Sequence, residues 1–183
     1  MIEKDTNLSK FISLLLRHHP EKLKLHMDNH GWVSVAELIE KLNKFRYFGF
    51  VTVERIENIV ETDNKHRYDL QFFNNDLQIR ANQGHSLMWV DLGLQEVKPF
   101  DILYHGTGYK YVKSINKKGI VKKTRQYVHL SASNEYAEKV GMRHGTPFVY
   151  KINAKQMYED GCIFYLSKNG VWLTEYVDPK YFL

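Results

Sequence analysis

Arg17-His18-His19 places three basic side chains at the end of an apolar, helix-patterned stretch and directly before Pro20. An arginine offers a planar fork of N–H donors that matches two oxygens of a phosphate. A protonated His18 beside it adds a donor or delivers a proton near neutral pH. The same cluster also suits a plain helix C-terminus, where the dipole favours cations. Arg67 and Arg80 sit on two short alternating stretches, where an arginine is ordinarily a solvated outward residue. Gln83-Gly84-His85-Ser86 follows as a polar, turn-prone segment directly after a strand, a good place for binding groups.

A second group lies in the other half of the chain. Tyr104-His105-Gly106-Thr107 ends a short apolar strand. Gly106 would let the backbone approach a ligand closely, and His105 and Thr107 could then hydrogen-bond sugar hydroxyls. A simple strand-ending turn would look the same. Val128-His129-Leu130-Ser131 repeats the theme on an alternating strand, which could equally be half-exposed. Arg125 stands just before it. It ends a basic run of Lys110, Lys113, Lys117, Lys118, Lys122 and Lys123 that contains no acid. Such a run is either a solvated basic helix and loop or a phosphate-attracting rim.

Several familiar sites are missing. No G-x-x-x-x-G-K-[ST] and no G-x-G-x-x-G occurs, so neither a P-loop nor a Rossmann fingerprint is supported. No H-E-x-x-H or C-x-x-C is present, and the nine histidines fit no standard zinc spacing, so no metal is expected. Cys162 is the single cysteine, which excludes an internal disulfide and makes a reducing, cytoplasmic setting the expectation. No apolar stretch approaches the roughly 20 residues of a membrane span. The opening MIEKDTN lacks the order of a secretory signal.

The 183 residues suffice for one large domain or two small lobes, and 43% hydrophobic residues can fill a core. The net charge of +5 mildly favours an anionic partner. Its distribution is uneven: residues 1–98 carry 13 basic and 14 acidic side chains, whereas residues 99–183 carry 13 and 7.

The elements that must position these residues are legible in outline. Leu8, Phe11, Ile12, Leu15 and Leu16 repeat at helical spacing, with Thr6 or Asn7 as cap and Pro20 as stop. Ser34-Val-Ala-Glu37 forms a capping box before Leu38, Ile39 and Leu42. Val53, Ile56, Ile59 and Val60 share one side of a third helix. Tyr68, Leu70 and Phe72 alternate, Asn74-Asn75-Asp76 turns, and Leu77, Ile79 and Ala81 return as a hairpin. Three short helices and a hairpin suggest a winged-helix lobe, an architecture that does not by itself establish nucleic-acid binding. Lys98-Pro99 marks the expected boundary, dividing residues 1–97 from 98–183. Beyond it, Ile102–Tyr104, Val128–Leu130, Phe148–Ile152, Ile163–Leu166 and Val171–Leu173 read as strands. One helix spans Tyr111–Lys118, closed by Gly119, and another follows Ser133. The fold class is therefore α+β, with a β-rich second half holding two helices.

In order along the chain, these segments resemble the RNA 2′-phosphotransferase family. The likeness rests on Leu8–Glu21, on Gly31-Trp32-Val33 and on Arg67-Tyr68, where the family has Arg-Phe. It continues through Ile79-Arg-Ala-Asn-Gln-Gly-His-Ser86, His105-Gly106-Thr107, Val128-His-Leu-Ser131 and Gly170-Val-Trp-Leu-Thr174. The resemblance implies an N-terminal winged-helix lobe that holds RNA and a C-terminal ADP-ribosyltransferase-like lobe that holds NAD. The family's catalytic set falls on Arg17, His18, Arg67 and Arg125, with Arg67 preferred over Arg80 for the third position. NAD would be bound by His105, Gly106, Thr107, His129 and Ser131. Val171 fills the signature position where many ADP-ribosyltransferases carry Glu. Further RNA contacts are expected from Arg80, Gln83, His85, Lys122 and Lys123, in a monomer.

The implied reaction has two steps. An RNA 2′-phosphate attacks the nicotinamide-ribose C1″ of NAD and nicotinamide leaves. The ribose 2″-hydroxyl then attacks phosphorus and expels the RNA 2′-oxygen, giving ADP-ribose 1″,2″-cyclic phosphate. A phosphate monoester with a second pKa of about 6 is largely dianionic at neutral pH, so it needs charge matching more than a base. An added carboxylate would repel it, which suits Val171 in place of Glu. His18 is the candidate acid for the leaving oxygen. The same fold would serve a mono-ADP-ribosyltransferase acting on protein or on terminal nucleic-acid phosphates, which would not need Arg17, His18 and Arg67. A non-catalytic nucleic-acid binder would leave the His105 and His129 segments without purpose.

Overall fold

The computed structural model describes residues 3–45 and 47–183, so Met1 and Ile2 of the N-terminal stretch lie outside the described residues. The chain is mixed α and β, in two compact units, Met1–Gly93 and Leu94–Leu183. Residues just before Lys98-Pro99 go with the second unit, where Val97 N–H donates to Phe164 O at 2.9 Å and Glu96 bridges Tyr165.

The first unit opens with helix α1 (Glu3–Arg17). Leu8, Ile12, Leu15 and Leu16 are fully buried along one stripe. At roughly 1.5–3 kcal/mol each, these four fix the roll of the helix, and with it the place of Arg17. Thr6 and Asn7 lie inside this helix rather than capping it. The first turn is held by Asp5, whose carboxylate accepts from Arg55 Nε at 2.8 Å. Pro20 ends α1 and starts a 3₁₀ turn, Pro20–Leu23.

Strand β1 (Val33–Ser34) leads into helix α2 (Val35–Phe45). Only half of the expected capping box forms. Ser34 Oγ accepts from Glu37 N–H at 3.4 Å, but the Glu37 carboxylate turns instead to the His26 N–H and ring and to Lys41. Thr52 caps helix α3 (Val53–Glu61) by accepting from Arg55 N–H. The hairpin is strand β2 (Tyr68–Phe73) and strand β3 (Asp76–Ala81). Asn74 and Asn75 alone make its turn, both at positive φ (48° and 60°), while Asp76 already pairs with Phe73. Strand β1 adds to β3, giving the order β1-β3-β2.

In the second unit, strand β4 (Ile102–Gly108) pairs antiparallel with strand β7 (Pro147–Asn153). Between them come helix α4 (Val112–Lys118), strand β5 (Ile120–Val121), strand β6 (Val128–Leu130) and helix α5 (Asn134–Gly141). After β7 follow helix α6 (Ala154–Glu159) and strands β8 (Tyr165–Leu166), β9 (Trp172–Thr174) and β10 (Tyr176–Val177). The half thus holds three α-helices, not two. Strands order as β6-β9-β8 and β10-β5, and a bridge between Tyr104 and Ser131 joins β4 to β6. Leu103, Ile152, Ala154, Met157 and Phe164 are fully buried at the centre. Among the described residues no helix is long and apolar enough to cross a membrane.

Candidate functional site

In the first unit, the segment after β3 gathers three of the residues picked out from sequence. Asn82 brackets Arg67: its N–H donates to Arg67 O at 2.8 Å, and its Nδ2 donates to His66 O at 2.7 Å and Tyr68 O at 3.0 Å. His66 is held at φ 44°, a conformation costly for a residue with a side chain, so the Asn82 bonds stabilise a strained backbone next to Arg67. The Arg67 guanidinium is anchored from the other side by the buried Asp63, which also accepts from Arg67 N–H at 2.6 Å.

Two residues further on, Gly84 adopts φ 90° and lies along the Arg17 side chain, whose Cδ and Nε would be 3.7 Å from a Cβ placed there. Ser86 N–H donates to Arg17 O at 3.0 Å, and Ser86 Oγ is 2.9 Å from His18 Nδ1. Arg17, His18 and Arg67 are therefore all tied to one short stretch, Asn82–Ser86. Gln83 sits half-buried within it.

His85 lies beneath this surface, with no solvent exposure. Among the described residues neither of its ring nitrogens has a hydrogen-bond partner. Burial pushes its pKa down to about 4, and the charges of Arg17, His18 and Arg80 act the same way. The ring is neutral at physiological pH and supports a cationic surface without adding to its charge. It does not line that surface, as a direct RNA contact would require. Arg80 is also partly sequestered. Its guanidinium stacks on Trp32 at 4.5 Å, donates to His30 O at 3.5 Å, and faces Asp69 across the hairpin at 3.8 Å. Trp32 and the hairpin hold Arg80, whereas Asp63 and Asn82 hold Arg67.

In the second unit, His105 on β4 and His129 on β6 are joined. His105 Nδ1 donates to His129 O at 3.0 Å, which leaves Nε2 of neutral His105 as an acceptor. Partial burial lowers the pKa of His105. The charges of Lys123, Arg125 and His144 reinforce that, against the upward pull of the bond to His129. Arg125 Nη1 donates to His129 Nδ1, so this ring carries its proton on Nε2 when neutral.

Thr107 is buried. Gly106 is required by packing: a Cβ there would lie 1.6 Å from Ala137 O in α5. Its expected purpose, close approach to a ligand, is not needed to explain the glycine. The Ser131 hydroxyl is engaged locally, donating to Ser133 O and accepting from Ser133 N–H, both at 3.0 Å, where α5 begins. Val171 is half-buried, its backbone clasped by Ser167 on both sides at 3.0 Å.

Lys122 is paired with Glu175 at 2.5 Å, which offsets part of its charge. Lys123 and Lys110 both approach the Tyr111 ring, at 4.9 and 5.1 Å. The structure adds residues that the sequence reading had not singled out. Asn82 and Asp63 act on Arg67, and His144 acts on His105. The His144 carbonyl packs on Gly108, 2.5 Å from where a Cβ would stand, and the His144 ring meets Tyr111 edge-on. Gly141-Met-Arg-His-Gly145, a basic turn closing a helix, was the readable signal for His144.

Comparison with known proteins identifies the family of the chain. The family model for "RNA 2'-phosphotransferase, Tpt1 / KptA family" matches residues 3–176. A protein of Flavobacterium johnsoniae named "Probable RNA 2'-phosphotransferase" is 47% identical over 176 residues, covering 96% of this chain and 93% of its own. Proteins of the same name from Fusobacterium nucleatum (47% identical, 98% of both chains) and Acaryochloris marina (46%, 96% and 94%) are equally similar in extent. With a family match across nearly the whole sequence and relatives of matching length, this chain belongs to the RNA 2′-phosphotransferase, Tpt1 / KptA family, and is an enzyme of the transferase class.

Proposed function

We propose that the protein removes an internal 2′-phosphate from RNA with NAD as consumed co-substrate. The first unit would be a winged-helix lobe for the RNA and the second an ADP-ribosyltransferase-like lobe for NAD. The order α1-β1-α2-α3-β2-β3, with β1 paired to β3, supports the first assignment. The observation that carries the reading is the convergence of Arg17, His18 and Arg67 on the Asn82–Ser86 segment. Cationic donors on a rigid frame suit a phosphate dianion, and a neutral His85 beneath them avoids further charge repulsion.

The donor set of the second unit fits a dinucleotide. His105 presents an acceptor nitrogen for a sugar hydroxyl, and His129, oriented by Arg125, presents a donor. NAD supplies an electrophilic ribose carbon and a leaving nicotinamide. The chain's own residues then have three tasks in this reading. Arg17 and Arg67 hold and charge-match the phosphate. Arg125, which the resemblance assigns to the same catalytic set, would stabilise charge on phosphorus in the second step. His18 gives a proton to the departing RNA 2′-oxygen.

The test is incubation of a 2′-phosphorylated oligoribonucleotide with and without NAD, following nicotinamide release and the cyclic phosphate product. Dephosphorylation that proceeds equally without NAD would reject the co-substrate. No dephosphorylation under either condition would reject the activity itself.

A further inference from the structure

Ser86 touches both members of the Arg17–His18 pair. Its N–H donates to the Arg17 carbonyl at 3.0 Å, and its hydroxyl oxygen lies 2.9 Å from His18 Nδ1. The turn that delivers it is shaped by Gly84, whose φ of 90° few other residues adopt. We infer that Ser86 is a positioning residue: its hydroxyl holds a proton on His18 Nδ1, making Nε2 the nitrogen that gives its proton to the RNA. The inference rests on the acid role proposed above for His18.

Proton counting supports this role for Ser86. The acid form of an imidazole carries hydrogen on both nitrogens. With Nδ1–H facing Ser86 Oγ at 2.9 Å, the oxygen must accept. When the P–O2′ bond breaks, the Nε2 proton caps the departing 2′-oxygen. The proton of the attacking 2″-hydroxyl goes to solvent, and His18 is later recharged from solvent, so protons balance. Throughout, the Nδ1–H···Oγ bond stays as it was, and no dipole needs to turn during the step.

A hydroxyl is also the right orienting group for this place. A carboxylate on Nδ1 would hold the ring as well, but it would subtract charge from a surface meant to grip a dianion. Ser86 orients without neutralising. Its backbone bond to Arg17 fixes the neighbouring phosphate donor by the same residue.

The experiment compares wild type with S86A and S86T, using ¹⁵N-histidine-labelled protein and a 2′-phosphorylated RNA with NAD. The neutral His18 of wild type is expected to carry its proton on Nδ1, with Ser86 Oγ accepting rather than donating. In S86A the population moves towards Nε2–H, and the second step slows roughly 10- to 100-fold, within the on-the-order-of 10²–10⁴ that a general acid contributes. ADP-ribosylated RNA accumulates, and the KM for RNA changes by less than about threefold, because uniform binding is untouched. Threonine keeps the hydroxyl, so S86T restores most of the rate and the Nδ1–H tautomer. An S86A protein with wild-type tautomer and rate overturns the inference, as does a folded S86T as slow as S86A. A tautomer shift with an unchanged second step upholds the positioning and instead removes His18 as the acid, which separates the two failures.

Discussion

His105 and His129 are locked together across facing strands by the Nδ1–H···O bond of 3.0 Å, and Arg125 in turn grips the His129 ring. The bond decides which nitrogen of His105 can meet a ligand. H105N can keep a donor to His129 O but loses the Nε2 acceptor, whereas H105A loses both. Titration calorimetry should show NAD affinity reduced in both variants by about 1–2 kcal/mol, a factor of roughly 5–30. The thermal midpoint should fall more for H105A than for H105N. Wild-type NAD affinity in H105A would remove His105 from the proposed NAD site.

His85 gives a pH dependence with a definite sign. Its folded pKa is depressed from the ordinary 6.5 to about 4. Above pH 6.5 the ring is neutral in both folded and unfolded chains, and its contribution to stability is complete. Between pH 6.5 and 4 the unfolded chain takes up a proton that the folded chain refuses, so stability falls as pH falls. The loss amounts to about 3 kcal/mol once pH is below 4. Urea unfolding of wild type and H85Q at pH 7, 5.5 and 4.5 measures this. The advantage of wild type over H85Q should shrink across that window. Parallel losses in the two proteins would show that another group titrates.

How far these features could be seen in advance depended on their range in sequence. Helices α1, α2 and α3 were legible because their apolar residues repeat on one face, and burial of Leu8, Ile12, Leu15 and Leu16 then enforces the pattern. Helix α6 is only six residues long, too short for a period, although Asn153 accepting from Gln156 N–H marks its start. The two-residue strand β1 owes its existence to pairing with β3, which no local pattern reveals. Tyr68 looked like a departure from Phe in the Arg-Phe pair. Its buried hydroxyl donates to Ser9 O at 2.5 Å and lies 3.0 Å from Ser9 Oγ, a partner 59 residues away that makes the polar atom tolerable. Likewise, the types of Arg17 and His18 suggested phosphate chemistry, and the family resemblance added Arg67. What holds them, Asn82 and Ser86, emerges only once the hairpin register is set.

Asn82 provides a direct test of that frame. N82A removes both bonds from Nδ2, leaving the carbonyls of His66 and Tyr68 without that donor. The buried Tyr68 carbonyl so deprived costs about 1–3 kcal/mol and the part-buried His66 carbonyl less, so the urea midpoint should fall. Activity should fall further than stability explains, because His66 and Arg67 lose the clamp on their backbone. If the clamp acts through Arg67, the N82A/R67A double variant should turn over no more slowly than R67A alone. Additive losses in that cycle would assign Asn82 a role of its own.

Gly106 separates packing from ligand approach most sharply. A Cβ at this position would stand 1.6 Å from Ala137 O and 2.5 Å from the Ala137 carbonyl carbon, both backbone atoms of α5. No side-chain rotation relieves that overlap, so α5 must move off β4. G106A should therefore lose stability at or beyond the roughly 1–3 kcal/mol typical of overpacked cores, seen as a lowered thermal midpoint or loss of soluble protein. Adding A137G should not rescue it, because the obstructing carbonyl remains. A G106A protein with a wild-type midpoint but no NAD affinity would show that the glycine serves the ligand and that α5 can yield.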